Sequence, residues 1–456
     1  WKEVEAGAKQ AVADINTLLG YKGDDKIKLT FSAPSERDNV DEQVNILDEE
    51  LAQLYAEWVK ENPYDNGNGW ATEPWSQKEM ALEDDVVRVA AARNDVAVIV
   101  IGRTAGEDKD NSNVVGSYRL FEEELQMIEK VSTYFRDTVV VLNVGNLIDV
   151  SFVNQYNISA LLYIWQGGGE GANALADMLS GKISPCGKLT DTQVKNIENH
   201  PCFKNFGDKN QCIYEEDIYV GYRYFETFAR DEVMYPFGFG LTYTSFETKY
   251  DVRKEVEKII IIADVKNTGD FPSKEVVQIY YGAPCGKLGK PDKELVAYKK
   301  TKELRPGETT TLEIIFDIND MKSYDDSGVT GNEFCYVLEQ GEYKIFAGTD
   351  VRSSTEVFRF ELEETVVVEE LEQIMPPEQK FMRFVAEQNT CGEKILQKKD
   401  TPVMGMVTRL VSHKGLDLCK AVLDELLATT DIQLVVLGSG DTEYEDFFRG
   451  LAARFP

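Results

Sequence analysis

The stretch that decides the fold is residues 96–110, Val96-Ala-Val-Ile-Val-Ile101 followed by Gly-Arg-Thr-Ala-Gly-Glu-Asp-Lys-Asp110. A continuous apolar run that ends at a glycine predicts a buried parallel strand whose carboxyl end opens into a loop. In open α/β sheets, ligands bind at that edge. The charged residues of the loop are Arg103, Glu107, Asp108, Lys109 and Asp110. A carboxyl group with both acidic and basic side chains nearby suits general acid/base catalysis. A solvated polar loop without a catalytic role has the same composition.

The composition excludes several classes of partner and site. The chain has 49 Lys and Arg against 80 Asp and Glu, and its formal charge of −31 argues against nucleic acid and anionic membrane as partners. No apolar run approaches the roughly 18 residues of a membrane span. The two histidines, His200 and His413, exclude a multi-histidine metal site, and we expect no metal and no cofactor.

Cysteine usage and the start of the chain bear on its location. Seven scattered cysteines, an odd number, are typical of cytosolic thiols and not of a disulfide framework. We find no signal peptide, and because the chain begins at Trp1 we expect that its true start has been lost. The expected location is the cytoplasm, and the sequence leaves homo-oligomerisation open.

The first half of the chain predicts an α/β domain. Residues 1–69 form a polar, partly helical lead-in, and the helical spacing of Val44, Leu47, Leu51, Leu54 and Trp58 predicts one buried face. Residues 70–245 alternate strands with helices, which implies a mainly parallel sheet with helices on both faces. The predicted strands are Val96–Ile101, Thr138–Asn143 and Ala160–Trp165, and the predicted helices are Leu120–Tyr134 and Gly171–Ser180.

Residues 246–362 predict a β-sandwich, because short β-rich segments alternate with turns such as Asn-Thr-Gly and Arg-Pro-Gly. Nothing in this region clusters titratable groups around a pocket, so its expected role is support. The predicted segments are Lys258–Lys266, Val276–Tyr281, Glu294–Leu304, Thr309–Phe316, Gly341–Phe346 and Glu356–Leu362.

Seven motifs follow one another along the first half of the chain: Gly102-Arg-Thr-Ala-Gly-Glu-Asp-Lys-Asp110, Gly116-Ser-Tyr-Arg-Leu120, Val139-Val-Val-Leu-Asn-Val-Gly145, Trp165-Gln-Gly-Gly-Gly-Glu-Gly171, Gly181-Lys-Ile-Ser-Pro-Cys-Gly-Lys-Leu189, Tyr214-Glu-Glu-Asp-Ile-Tyr-Val-Gly-Tyr-Arg-Tyr-Phe225 and Pro236-Phe-Gly-Phe-Gly-Leu-Thr-Tyr-Thr244. With these motifs in this order, the chain from about Trp70 to Phe381 resembles glycoside hydrolase family 3, the β-glucosidase family. The resemblance implies an α/β sandwich domain with a mainly parallel sheet, followed by a fibronectin type III-like β-sandwich. It also implies hydrolysis of a β-glucoside or oligosaccharide with retention of configuration.

The same resemblance assigns roles in the first motif. The family's Gly-Glu-Gly-X-Asp-Arg pattern places its acid/base Glu on Glu107 and its Asp on Asp110. The pattern's Arg is replaced here by Asn111. Asp110 and Arg103 would tune Glu107.

The family's nucleophilic Asp lies in a (β/α)8 barrel, which some members place last. Residues 363–388 resemble a linker towards such a barrel. The 72 residues after Phe384 are too few for a domain of typically about 250 residues, so we expect the barrel to be missing here.

Residues 389–456 resemble instead a fragment of bacterial glycogen or starch synthases, a short βαβ unit. Arg409 and Lys414 fall on that family's ligands of the sugar-nucleotide diphosphate. Cations on a loop that leads into a helix N-terminus suit phosphate, but the unit lacks the rest of its domain. We therefore expect these two residues to be remnants of a site.

Two further motifs leave alternatives open. Gly167-Gly-Gly-Glu-Gly171 follows a strand and opens a helix, so it could meet a phosphate, but a structural turn is the favoured interpretation. Glu215 or Glu216 could be the acid/base instead of Glu107, at the entrance of a strand predicted by the alternation from Ile218 onwards. The alternative functions are a non-catalytic carbohydrate-binding fragment and an ADP-glucose-dependent glycosyltransferase.

Overall fold

The structure is a computed structural model that describes residues 49–69, 72–104, 110–208, 210, 212–372, 381–386, 390–394, 403–429 and 433–455. The described part of the α/β region contains five α-helices and five strands. The helices are α1 (Glu49–Glu61), α2 (Asp84–Ala91), α3 (Glu122–Tyr134), α4 (Gly171–Leu179) and α5 (Tyr222–Phe228). The strands are β1 (Val96–Gly102), β2 (Asp137–Asn143), β3 (Ala160–Tyr163), β4 (Gln193–Val194) and β5 (Val233–Tyr235).

Strands β1, β2 and β3 form a parallel sheet in that order, as the apolar runs predict. Ile101, Val140 and Leu142 are fully buried in it, and Ile128 of α3 packs into the same core. Strand β3 ends at Tyr163, two residues earlier than predicted, before Trp165 takes a positive φ of 53°. The parallel arrangement brings the carboxyl ends of all three strands to one edge.

Two expectations for this region are wrong. Leu54 of α1 is 43% exposed, so the predicted stripe is not buried at this position; Val44, Leu47 and the side chain of Leu51 lie outside what the structure describes. The strand predicted from Ile218 is a series of tight turns that leads into α5, with backbone bonds from Asp217 N to Tyr214 O and from Tyr219 N to Glu216 O. Because Tyr219 is buried between exposed neighbours, the turns produce the alternation that a strand would show.

The β-sandwich consists of antiparallel strands in three sheets, ordered β10-β7-β6, β14-β13-β8-β9 and β11-β12-β15. Its core is formed by alternate residues of β7, among them Ile259, Ile261 and Val265, against Ile279 and Ile345 of the facing sheet. The strands are β6 (Phe246–Lys254), β7 (Lys258–Asn267), β8 (Val276–Gly282), β9 (Glu294–Lys300), β10 (Thr309–Asp317), β11 (Ser323–Asp325), β12 (Cys335–Leu338), β13 (Gly341–Gly348), β14 (Thr355–Leu362) and β15 (Val366–Glu370).

All six predicted β-segments contain a strand, although β9 ends four residues before Leu304. Strands β6, β11, β12 and β15 were not predicted. Because β15 pairs with β12, residues 366–370 lie in the sandwich and not in the expected linker.

Charged side chains join the sandwich to the α/β domain. Glu226 of α5 is 4% exposed and accepts a hydrogen bond from Arg352 Nε at 2.8 Å. Lys188 pairs with Glu275 at 2.9 Å. These buried contacts fix the two domains against each other.

After the sandwich, β16 (Phe381–Val385) pairs antiparallel with β17 (Thr390–Lys394). The last two described segments contain β18 (Val403–Val407), α6 (Leu416–Thr429), β19 (Gln433–Leu437) and α7 (Thr442–Arg454). Strands β18 and β19 pair in parallel, as a βαβ unit requires, and α7 adds to its core through Tyr444, Phe448 and Leu451.

Candidate active site

The candidate site is the loop after β1, residues 103–111, which we call the β1 loop. Glu107, Asp108 and Lys109 lie outside the described residues, whereas both ends of the loop are described. Asp110 is exposed. The loop leaves the sheet at the edge to which the carboxyl ends of β1, β2 and β3 point.

Arg103, at the start of the β1 loop, is 7% exposed and forms a bidentate ion pair with Glu124 of α3. Its Nη1 and Nη2 donate to Glu124 Oε1 and Oε2 at 2.7 and 2.8 Å, and its Nε donates to Ser117 O at 3.0 Å. Glu124 Oε2 also accepts the Phe121 backbone N–H at the N-terminus of α3. The Arg103 guanidinium therefore donates its hydrogen bonds from Nε, Nη1 and Nη2 to groups inside the protein.

Neighbouring segments hold both ends of the β1 loop. Thr104 N donates to Trp75 O at 2.6 Å, and its hydroxyl donates to Pro74 O at 2.8 Å. At the other end, Asn111 Nδ2 donates to Leu147 O at 2.5 Å. These contacts fix where the loop leaves and re-enters the domain.

A second carboxyl group lies beside the ion pair. The pKa of Glu79 is raised from 4.5 to about 7, mainly by burial and in smaller part by the Glu124 carboxylate, while Arg103 opposes the shift. Burial, with a smaller contribution from Glu79, also raises the pKa of Tyr55 of α1. Sequence reasoning missed Glu79, and it missed Glu124 although that acid shares the buried face of α3 with Met127, Ile128 and Val131.

The glycine-rich turn at residues 167–171 leads into α4. A Cβ on Gly167 would lie 2.6 Å from Gly171 Cα, so the close approach of the two backbones requires glycine there. This packing supports the interpretation as a structural turn.

Comparison with known proteins identifies the domain that carries this loop. Residues 32–243 match the glycosyl hydrolase family 3 C-terminal domain, and residues 275–351 match a fibronectin type III-like domain. A β-glucosidase of Ruminococcus albus is 45% identical over 409 residues, 86% of this chain and 43% of that protein. Residues 32–243 thus form a glycosyl hydrolase family 3 C-terminal domain.

Solved structures agree with the family assignment. A β-glucosidase from Paenibacillus barengoltzii superposes with a TM-score of 0.74 at 42% identity, over 84% of this chain and 45% of that one. β-Glucosidase 3B from Thermotoga neapolitana in complex with glucose gives a TM-score of 0.64 at 32% identity, over 74% of this chain and 47% of that one. The chain thus spans less than half the length of these family 3 relatives.

The rival acids lie on a turn within the same family 3 domain. Burial raises the pKa of Glu216, and a hydrogen bond with the Cys202 thiol opposes the shift. The neighbouring Asp217 accepts a hydrogen bond from Arg383 Nη1 of β16 at 2.6 Å. Nothing in the sequence signalled that β16 would return to this domain.

Strand β16 is held to the family 3 domain by further contacts. Phe384 N donates to Glu215 O at 2.9 Å, and the Phe384 ring lies 5.4 Å from that of Tyr224. Ala386 N donates to the Tyr219 hydroxyl at 2.9 Å. The turn that carries Glu215 and Glu216 is therefore covered by β16.

Arg409 and Lys414 lie away from the β1 loop in the chain, and both matched family ranges end before them. Arg409 follows β18, Lys414 lies in the turn before α6, and both are exposed. Among the residues that the structure describes, no three His, Cys, Asp or Glu side chains are grouped to hold a metal ion. Within the same residues, no helix combines the length and apolarity needed to cross a bilayer.

Proposed function

We propose that this chain is the acid/base-bearing part of a retaining β-glucosidase and that Glu107 is the acid/base. The observation that carries the proposal is the position of the β1 loop, at the carboxyl edge of a parallel sheet in a family 3 domain. The names of the relatives, β-glucosidases, support a β-glucoside as the substrate.

In the proposed reaction, Glu107 protonates the glycosidic oxygen as the bond to the sugar breaks. A second carboxylate, about 5–5.5 Å away in a retaining enzyme, attacks the sugar and forms a glycosyl-enzyme. Glu107 then removes a proton from the water that releases the sugar. We propose that the nucleophile belongs to a barrel domain outside these 456 residues.

The supporting residues take different parts in this proposal. Asp110, exposed on the β1 loop, supplies negative charge near Glu107. Arg103 is paired with Glu124, so its contribution is to fix the start of the loop.

The first test uses the 456-residue chain alone. Without a nucleophile no glycosyl-enzyme can form, so we expect no measurable hydrolysis of p-nitrophenyl β-glucoside. Turnover of about 1–1,000 per second, the usual range for enzymes, would refute the absence of the nucleophile.

The second test uses the chain joined to a family 3 barrel. Glu107→Ala should lower the rate on a poor leaving group by about 10²–10⁴-fold. Azide should restore activity on activated substrates, because a small anion attacks the glycosyl-enzyme without a general base. Glu216→Ala is the matched control, and loss of activity in that variant alone would move the acid/base to the turn at residues 214–217.

We also propose that residues 389–456 are a glycogen-synthase-like fragment without transferase activity. The parallel pairing of β18 with β19 around α6 supports this, because two strands are only the beginning of a nucleotide-binding domain. ADP-glucose should bind with a dissociation constant above about 1 mM, or about −4 kcal/mol. Micromolar binding by calorimetry that disappears in Arg409→Ala would establish the transferase alternative. Binding of glucosides with no hydrolysis after a barrel is joined would favour the carbohydrate-binding alternative.

A further inference from the structure

Trp165 follows β3 at the carboxyl edge of the parallel sheet, in an unusual backbone conformation. Its φ is +53°, and a positive φ is rare for a bulky residue, because the Cβ then crowds the carbonyl oxygen. The sheet is regular up to this point, since Ile164 N still donates to Leu142 O at 3.0 Å. Glycine adopts such a φ without strain, as Gly168 does at +65°. A large aromatic side chain therefore occupies a position where the backbone alone favours glycine.

The Trp165 ring packs against Tyr163, the last residue of β3. The two ring centroids lie 4.6 Å apart at an interplanar angle of 44°. Tyr163 is itself fixed, because its hydroxyl donates to Asn146 O at 3.0 Å and accepts the Ile148 backbone N–H at 3.1 Å. The Tyr163 ring also packs against the core of the α/β domain. The Trp165 ring is thus supported by a side chain that is anchored in the domain.

The surroundings of this ring are open and polar. Trp165 is partly exposed, and the residues that follow it, 166–170, are exposed. Residues 167–169 are glycines and carry no side chain that could cover the ring. Asn143, at the carboxyl end of the neighbouring strand β2, is exposed, and a side-chain amide offers both a donor and an acceptor. Adjacent strands lie about 4.8 Å apart, so Asn143 and Trp165 are close enough to contact one ligand.

An aromatic ring beside an amide suits a sugar, because sugar C–H groups pack on the aromatic face and sugar hydroxyls pair with the amide. We propose that Trp165 and Asn143 form a binding platform for the leaving-group sugar of a β-linked gluco-oligosaccharide. This inference rests on the proposed function. The acid of a retaining glycosidase protonates the oxygen that departs with the leaving group, so the domain that supplies the acid lies on that side of the scissile bond. The platform favours β-glucosides whose leaving group is another sugar over those with a small alkyl group.

The direct test is fluorine NMR of the 456-residue chain labelled with 5-fluorotryptophan and titrated with cellotriose, a β-linked trimer of glucose. The chain has five tryptophans, and the signal that disappears in Trp165→Phe belongs to Trp165. This signal should shift with a dissociation constant of about 1–10 mM, since an open platform leaves most of the ligand hydrated. Asn143→Ala should raise that constant by about threefold or more, the effect of one lost hydrogen bond.

The matched control is Trp58→Phe, the same substitution at a tryptophan of α1 whose ring stacks on Tyr55. This variant should bind cellotriose as the wild type does. A Trp165 signal that does not move on addition of cellotriose would overturn the proposal. A dissociation constant that Asn143→Ala leaves unchanged would remove Asn143 from the platform.

The kinetic test uses Trp165→Gly in the chain joined to a barrel, because glycine takes the observed φ without strain and the variant should fold. It should lower kcat/KM for cellotriose by about tenfold and that for ethyl β-glucoside by less than about twofold. Trp165→Phe keeps an aromatic face and should restore most of the activity on cellotriose. Equal losses on both substrates, or no loss on either, would refute the platform. If Glu107→Ala hydrolyses cellotriose normally, the proposed function fails, while the NMR titration still decides whether Trp165 binds the sugar.

Discussion

Removal of one charge from the Arg103–Glu124 pair should strongly destabilise the α/β domain. The side chains of Arg103 and Glu124 are 3% and 2% exposed, so a lone charge left at this position cannot be hydrated. Breaking a buried pair by removing one partner costs about 3–5 kcal/mol. We expect Glu124→Gln to lower the free energy of unfolding by about 3 kcal/mol, a large part of the roughly 5–15 kcal/mol of a typical domain.

The assay is urea unfolding followed by tryptophan fluorescence. All five tryptophans lie at or before Trp165, so the signal reports the α/β part and not the sandwich. The matched control is Glu123→Gln, the same substitution at the neighbouring exposed position of α3, which should change stability by less than about 0.5 kcal/mol.

A double variant separates the pair from its surroundings. Arg103→Met with Glu124→Gln should be less destabilised than the sum of the single changes, because neither charge is then left alone. A Glu124→Gln variant as stable as the Glu123→Gln control would refute the reasoning. So would strictly additive effects in the double variant.

Three further predictions concern other contacts. Between pH 4.5 and about 7 the folded state holds a proton on Glu79 that the unfolded state has released, so this group's contribution to stability falls as the pH rises. In the same urea assay, the free energy of unfolding of Glu79→Gln should therefore rise relative to that of the wild type, by up to about 3 kcal/mol as the pH increases from 4.5 to 8. Arg352→Met should lower the calorimetric melting temperature, since it removes one of the two cations that pair with the buried Glu226, at a cost of about 2–3 kcal/mol. Arg383→Gln should speed proteinase K cleavage between residues 372 and 403 by about fivefold, because its contact with Asp217 holds β16 in place.

Each of these predictions has a matched control. Glu83→Gln, on an exposed acid near Glu79, should leave the pH dependence unchanged. Arg253→Met removes an exposed arginine of the sandwich and should not move the melting temperature, and Arg359→Gln should not affect cleavage near β16. A variant that behaves like its control in any of the three experiments contradicts the corresponding prediction.

The sequence predicted the parallel sheet and α3 well because their signals are local. An unbroken apolar run specifies β1, and the buried face of α3 repeats at helical spacing. The turns at residues 214–220 misled the prediction, because period-two burial also arises when tight turns expose alternate residues. Strand β15 was missed because its place depends on pairing with the distant β12.

For the site, the sequence predicted the β1 loop but not what holds it. The motif drew attention to Arg103 as a partner of Glu107, whereas the structure pairs Arg103 with an acid 21 positions further along the chain. An acidic residue among the apolar residues of a helix face indicates a buried cationic partner, and Glu124 is such a residue. Ser117, whose carbonyl oxygen accepts the hydrogen bond from Arg103 Nε, carried no such signal, because a backbone contact of this kind depends on where two separated segments meet.

The return of β16 to the family 3 domain determines how mechanical load passes through the molecule. The chain leaves the α/β domain at β6, passes through the whole sandwich, and comes back at Arg383 and Phe384. A force applied beyond residue 386 would therefore reach the α/β domain through β16 before it loaded any strand of the sandwich. A fluorescent domain or surface tether fused after residue 386 would be held beside the turn at residues 214–217. The force on it would pass to the α/β domain through the contacts of β16, and the sandwich would not lie between the two.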